Sequence, residues 1–205
     1  MRAAGTRHGR WWQRIGAAAL VSIACQVAGA NPGANANAGA TATTTSTLPA
    51  PAEVASALPA AHLRGSGTMR FIGMRVYDAR LWAGPDFAAD RYGMHAFALE
   101  LQYARSFDGA DIAKRSIEEM RRIGSFDDAQ ADGWRAAMAR AFLDVKPGDR
   151  LTGLHLPSGT TRFFHNGQPT SVVEGPAFAR LFFGIWLAPT TSEPALRRQL
   201  IAAGA

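Results

Sequence analysis

A tight hairpin followed at once by an apolar helix is the feature that most constrains the fold of this chain. Asn166-Gly167 lies between two β-prone runs, 161–165 and 170–173, and both residues of an Asn-Gly pair tolerate positive φ. Pro176, at an early helical position, then opens an apolar helix over residues 178–187. This order predicts a compact α+β domain in which the hairpin packs under the helix.

The rest of the domain continues this alternation of strands and helices. Strands are predicted at 62–82, as two segments, at 97–103 and at 151–156. Helices are predicted from Gly109 to Ile123, with Asp108 as N-cap and Gly124 as the stop, at 129–142, and from about Ser192 to Ala203. In the first of these helices, the apolar face at helical spacing consists of Ile112, Ser116, Ile117 and Met120.

Three glycines, at 65, 67 and 73, interrupt the strands at 62–82. Glycine inside a strand predicts a bulge or the close approach of another backbone. Beyond Gly73 neither face of the strand is purely apolar. Tyr77 and Leu81 share one face, and Arg80 and Trp82 share the other. This segment therefore borders a pocket or a sheet edge.

Residues 1–30 have the pattern of a signal peptide. Four arginines precede a short apolar stretch, which is followed by Ala28-Gly29-Ala30, so cleavage is predicted after Ala30. The apolar stretch is too short to span a membrane, so no transmembrane helix is expected in the mature chain. The mature protein is predicted to be periplasmic or secreted. In an alternative interpretation, Cys25 is the lipidated residue of a lipoprotein.

Removal of this segment lowers the net charge of the chain. The whole chain carries a formal charge of +6, and losing four arginines leaves a mature chain of about +2. A nearly neutral exported protein is not expected to bind nucleic acid. Cys25 is the only cysteine, so no disulfide or thiol chemistry is predicted for the mature domain.

The segment 31–58 is rich in Ala, Thr and Pro and poor in large apolar side chains, which predicts a disordered linker. Residues 59–205 then form one folded domain, a length that suits a single core.

Motifs for well-known chemistries are missing from this sequence. The four histidines after residue 30 are scattered, with no H-x-x-x-H pair and no cysteine partner, so neither a metal site nor a cofactor is predicted. Glu118-Glu119 and Arg121-Arg122 are interpreted as a solvated helix face. The aromatic helix at 178–187 is interpreted as core.

Arg70 and Tyr77 are the pair that stands out chemically. They lie on adjacent strand segments near the glycine interruptions. A guanidinium beside a phenol in an apolar pocket suits a carboxylate or an enolate-like oxygen. A surface arginine and a core-edge tyrosine are the alternative interpretation.

Several segments together resemble the exported bacterial branch of the chalcone isomerase-like family. They are Gly65-Ser66-Gly67 with Arg70 and 76–82, Gly148-Asp149-Arg150-Leu151, Phe164-His165-Asn166-Gly167 and 178–187, in this order and spacing. The resemblance covers about residues 60–203. It implies an open-faced β-sandwich, with a large antiparallel sheet covered by helices on one face and a ligand cleft between sheet and helices.

The resemblance also implies site residues. Arg70 falls close to the strand arginine that positions the nucleophile in plant chalcone isomerases, and Tyr77 takes the place of a strand threonine. Asp111 and Glu118 stand where the family has a tyrosine and an asparagine, so flavanone cyclisation is not expected and no catalytic residue is assigned. Non-catalytic members of the fold bind fatty acids through an arginine and a tyrosine, a role that Arg70 with Tyr77 or Tyr103 would imitate.

The function predicted from the sequence is therefore a non-catalytic exported protein that binds a small hydrophobic or carboxylate ligand, similar to a fatty acid, in the cleft. One alternative is an isomerase or intramolecular lyase acting on an enone-like substrate, in which Arg70 and Tyr77 stabilise the oxyanion. Another is a structural protein of the envelope, which a cleft filled by side chains would favour. The sequence predicts no oligomeric state.

Overall fold

Six antiparallel strands form one sheet in the order β1 to β6 in the computed structural model, which describes residues 48–202. The strands are β1 His62–Phe71, β2 Met74–Ala83, β3 Phe97–Tyr103, β4 Arg150–His155, β5 Thr161–His165 and β6 Gln168–Val173. The helices are α1 Ala52–Ala57, α2 Gly109–Ile123, α3 Asp128–Ala141, α4 Pro176–Leu187 and α5 Pro194–Ile201, and a 3₁₀ helix spans Ala89–Met94.

The predicted hairpin is present between β5 and β6. Asn166 and Gly167 adopt φ of 50° and 83°, which are the left-handed values that a tight antiparallel turn requires. The Asn166 side chain also ties this turn to the neighbouring strand, because its Oδ1 accepts a hydrogen bond from the Arg150 amide at 2.8 Å. Asn166 thus shapes the turn and also bonds to the neighbouring strand β4.

The main core lies between the sheet and helices α2 to α5. Alternate strand residues such as Leu81, Leu99 and Leu151 point toward the helices, as the two-residue period of a strand requires. They meet a row of aromatic side chains on α4 that includes Phe178, Phe182 and Phe183, all buried. The predicted α+β fold, a large antiparallel sheet with helices on one face, is confirmed. We call the other side of the sheet the open face.

Helix α5 packs directly against the backbone of β1. A Cβ atom added at Gly65 would lie 2.2 Å from the carbonyl oxygen of Gln199. The pairing of β1 with β2 also shifts register between Leu63 and Gly65. Both expectations for a glycine inside this strand, a bulge and the close approach of another backbone, are therefore confirmed.

The helix caps differ in detail from the sequence interpretation. Asp108 is the N-cap residue of α2, but its side chain makes no capping hydrogen bond. The Gly109 amide instead donates to Asp144 Oδ1 at 2.9 Å, in the segment that follows α3. Helix α3 begins one residue earlier than predicted, at Asp128, because Asp127 and Gln130 form a reciprocal capping box.

The predicted linker 31–58 is wrong at its carboxyl end. Residues 52–57 form helix α1, which packs on the open face. Val54 is fully buried against Trp82, Ala98 and Leu154. Composition misses this helix because its two buried residues are one valine and one glutamate among small side chains, which a window average hides. The ordered region therefore begins before residue 59.

The remaining N-terminal predictions fall on residues that the structure does not describe. The signal peptide 1–30, the cleavage position after Ala30, Cys25 and the linker up to residue 47 lie outside the described range. Between residues 48 and 202 no helix has the length and apolar character needed to cross a membrane.

Candidate functional site

Two of the three residues predicted to bind ligand lie side by side between the sheet and the helices, in the region that we call the cleft. Tyr77 on β2 and Tyr103 on β3 are directly paired across the strands. Both side chains point toward the helices, and their rings meet edge to face with centroids 5.7 Å apart. Tyr103 is only 5% exposed, whereas Tyr77 is partly buried.

Arg70 is not part of this pair. Its neighbour Met69 packs against the main core, and strand alternation directs Arg70 to the opposite face. There the arginine is exposed, and its Nη1 donates to the carbonyl of Gly73 at 3.4 Å. The structure therefore brings Tyr77 and Tyr103 together and leaves Arg70 at the end of the β1–β2 hairpin.

The Tyr77 hydroxyl is held by helix α4. Trp186 Nε1 donates a hydrogen bond to Tyr77 Oη at 3.0 Å. Burial raises the pKa of the Tyr77 phenol above its usual value, and the nearby Glu193 and Glu119 carboxylates raise it further. Burial likewise raises the pKa of Tyr103. Both phenols are therefore neutral at physiological pH, and Tyr77 retains a proton to donate.

Helix α2 contributes an ion pair beside these tyrosines. Glu119 is 6% exposed and lies 2.5 Å from Arg115 Nη2. Its other oxygen accepts a hydrogen bond from Ser192 Oγ at 2.8 Å, in the connection between α4 and α5. The interpretation of Glu118-Glu119 as a solvated face is thus wrong for Glu119, which faces inward, and holds only for the exposed Glu118.

Glu193 completes this group. Burial raises the pKa of its carboxyl group, the Glu119 carboxylate raises it further, and Arg115 lowers it. We call Tyr77, Arg115, Glu119, Trp186 and Glu193 the polar end of the cleft. It combines a neutral phenol, a guanidinium and two carboxyl groups against an apolar core, so it can both donate and accept hydrogen bonds.

The side of α2 that faces the sheet differs from the one the resemblance implied. Asp111 and Glu118 are both exposed, and Glu118 pairs with Arg115 at 3.1 Å on the outer surface. The buried polar residues of α2 are Ser116 and Glu119, which follow Ile112 at helical spacing. That spacing was visible in the sequence and would have identified Glu119. Nothing in the sequence indicated Ser192, whose place depends on the chain path after α4.

The residues at the polar end are closely packed, since Tyr103 and Trp186 are only 5% and 7% exposed. Two open depressions of the described surface, with volumes of about 550 and 420 Å³, lie elsewhere, on strands β5 and β6 and between α2 and α3. Neither is lined by Tyr77, Tyr103 or Trp186. The described part of the chain also contains no cluster of three metal-ligating side chains.

The family assignment agrees with this architecture. A family profile described as "Chalcone isomerase-like" matches residues 42–202, which is most of the chain. The chain belongs to the chalcone isomerase-like family. An uncharacterized protein of Haemophilus influenzae is 26% identical over 148 residues, covering 71% of each chain.

The fold is also found in a solved structure. A crystal structure of a fatty-acid binding protein from Arabidopsis thaliana superposes with a TM-score of 0.56 over 70% of this chain and 87% of that one. The two sequences are 11% identical, so the likeness establishes a common fold. The family and the fold implied by the sequence resemblance are therefore confirmed.

Proposed function

We propose that this protein is a non-catalytic, exported member of its family that binds a small hydrophobic molecule with a carboxylate or similar polar head, such as a fatty acid. The ligand lies between α2, α4 and the sheet, with its head at the polar end of the cleft. One observation carries the proposal: a neutral tyrosine, hydrogen-bonded to Trp186, is enclosed beside the Arg115–Glu119 pair at the edge of an apolar core. The fatty-acid binding protein of the same fold supports the ligand class.

Binding is favoured over catalysis by the position of Arg70. The isomerase alternative needs a guanidinium and the Tyr77 phenol on one developing oxyanion. Arg70 is exposed at the end of the β1–β2 hairpin, where its Nη1 donates to the Gly73 carbonyl, so it does not share an oxyanion position with the buried Tyr77 phenol. Arg115 is the cation within electrostatic reach of Tyr77, so it replaces Arg70 as the proposed partner for a carboxylate.

A structural role is the second candidate, because Tyr103 and Trp186 are closely packed and only 5% and 7% exposed. A ligand enters only if α4 or the α4–α5 connection moves away from the sheet. The two candidates therefore differ in whether octanoate, a medium-chain fatty acid, binds to the purified protein at all.

The test is a calorimetric titration of the protein with octanoate. We expect saturable binding to the wild-type chain, and we expect Arg115→Ala and Tyr77→Phe each to weaken it roughly tenfold, the effect of one charge-assisted hydrogen bond. Arg140→Ala is the matched control, since Arg140 is an exposed arginine on α3. Circular dichroism confirms that each variant is folded. Equal affinity in all four proteins would exclude this head-group site, and no binding at all would favour the structural role.

Glu119 provides a second prediction for the same site. Its carboxylate already neutralises Arg115 and would repel a ligand carboxylate. Glu119→Gln is therefore expected to strengthen octanoate binding roughly tenfold. The uncharged analogue octan-1-ol should bind the variant and the wild type alike. If octanoate affinity falls, or if both ligands gain equally, the head group does not lie at Arg115.

Export is tested separately by the mass of the mature protein isolated from its own cells. Cleavage after Ala30 gives a chain that begins at Asn31 without modification. An acyl-modified chain beginning at Cys25 would indicate the lipoprotein alternative, and an intact N-terminus would contradict export.

A further inference from the structure

The open face of the sheet contains a buried charge network that is separate from the cleft. Glu100 on β3 is 2% exposed. Its carboxylate accepts hydrogen bonds from Arg80 Nη1 at 2.8 Å and from Trp82 Nε1 at 3.0 Å, and it lies 3.5 Å from Arg150 Nη1. The strands thus place two guanidinium groups around one carboxylate.

Helix α1 supplies a second carboxylate to this network. Glu53 Oε1 lies 3.4 Å from Arg150 Nη2 and accepts a hydrogen bond from Thr152 Oγ1 at 3.0 Å. The Glu53 side chain is only 3% exposed. Glu100 is the one carboxylate that Arg80 and Arg150 share within the strands, so their charge balance favours a second carboxylate at this point.

An apolar socket adjoins this carboxylate position. Val54 is fully buried between Trp82, Ala98 and Leu154, and the side chain of Phe164 packs against the same group. The strands therefore provide two adjacent subsites, one for a carboxylate and one for a branched aliphatic group. Consecutive residues of α1 fill them.

The segment that fills both subsites is a short helix with few buried residues. Helix α1 has six residues, and Glu53 and Val54 are its buried ones. A helix of this length is not stable in water on its own, so it depends on its contacts with the sheet, to which Ala57 and Leu58 also contribute. It is preceded by Pro51 and joined to β1 only by residues 58–61, and it contributes no strand to the sheet.

An open groove continues from the socket along the sheet. It has a volume of about 550 Å³ and is lined by Phe164, Arg162 and Val172, among others. Phe164 belongs to both the groove and the Val54 socket. A segment bound in place of α1 would therefore find further surface beside it.

We propose that the open face is a second binding site, specific for an acidic–aliphatic peptide segment of a partner protein, and that α1 occupies this site as an internal, displaceable ligand. Arg150 and Thr152 recognise the carboxylate, and Trp82, Ala98 and Leu154 recognise the aliphatic side chain. This site is independent of the cleft and of the ligand proposed for it.

Hydrogen exchange of the full-length protein tests whether α1 opens by itself. The Ala55 and Leu58 amides are hydrogen-bonded within α1, to the carbonyls of Pro51 and Val54. We expect them to exchange at least about tenfold faster than the amides of β3, and with little dependence on denaturant, as local opening requires. Exchange of these amides only through global unfolding would overturn the proposal.

A peptide titration tests recognition directly. The full-length chain carrying Glu53→Ala and Val54→Ala is titrated with a synthetic peptide of residues 49–58. We expect binding below about 1 mM, weaker binding to the wild-type chain, whose site is occupied, and roughly tenfold weaker binding when the peptide carries Glu53→Gln. Adding Arg150→Ala to the double variant should abolish binding, whereas adding Arg140→Ala should not.

Two outcomes would contradict the proposal. One is a folded double variant that does not bind the peptide at about 1 mM. The other is a double variant that cannot fold, since a displaceable segment cannot be essential to the fold. Octanoate binding in the cleft is measured independently of both.

Discussion

At the scale of single residues, a few polar side chains of this domain are buried. His155 is the clearest titratable example outside the cleft. It is 2% exposed, its ring lies between Phe97 and Phe183, and its Nε2 is 3.2 Å from the carbonyl of Gly93. Nε2 must carry the proton to donate to that carbonyl, which leaves Nδ1 bare, and Nδ1 makes no hydrogen bond within the described residues.

Burial lowers the pKa of His155, which predicts a loss of stability in mild acid. The unfolded chain takes up a proton near pH 6.5, while the folded chain resists it, so the contribution of His155 is complete above that pH. As the pH falls below 6.5, the free energy of unfolding should decrease by up to about 1.4 kcal/mol per pH unit until the lowered pKa is reached.

Urea unfolding at pH 7.5 and at pH 5.5 measures this effect. The His155→Gln variant, which cannot titrate, is the control: it should be less stable overall, but its stability should change less between the two pH values. Equal pH dependence in the two proteins would show that another group is responsible.

At the scale of elements, the contact between β1 and α5 makes a sharp prediction. Gly65→Ala would drive a methyl group into the Gln199 carbonyl, so α5 must move away from the strand. We expect the free energy of unfolding to fall by about 2 kcal/mol or more, the usual cost of overpacking.

Gly133 is the matched control for this substitution. It lies in α3, where an added Cβ meets nothing within 4 Å. Gly133→Ala should therefore stabilise the protein by about 0.5–1 kcal/mol, because alanine loses less backbone entropy in a helix. If both substitutions have the same effect in urea unfolding, the close approach at Gly65 does not limit α5.

Elements with strong periodicity could be predicted from the sequence, and those held by isolated contacts could not. Helix α2 and strand β3 have the predicted bounds, because apolar spacing over 15 and seven residues is a robust signal. Helix α1 was missed because its two buried residues, one glutamate and one valine, are too few to give a periodic pattern.

The candidate site shows the same limit. Tyr77 and Tyr103 were identified, but Arg115 lies near Tyr77, and Ser192 bonds Glu119, only through the tertiary arrangement of α2 and the α4–α5 connection. Arg70 was chosen for its chemistry, yet strand alternation from Met69 directs its side chain to the opposite face. Residue type and sequence spacing therefore indicated the cleft but not which cation lies in it.

At the scale of the whole molecule, the sheet separates two polar regions. The cleft contains the Tyr77–Trp186 hydrogen bond, and the open face contains the Arg80–Glu100–Arg150 network with Trp82. Each region has one indole N–H that donates to a side chain. The two tryptophans therefore report separately on the two sides of the sheet.

The central claim is that a fatty-acid-like ligand binds at the polar end of the cleft. The most direct test follows the indole N–H resonances of ¹⁵N-labelled protein during titration with octanoate. We predict that the Trp186 signal shifts saturably, because a ligand head group at Tyr77 perturbs its hydrogen bond, while the Trp82 signal stays in place. A Trp186 signal that does not change up to about 10 mM octanoate would contradict the claim, as would a response confined to Trp82.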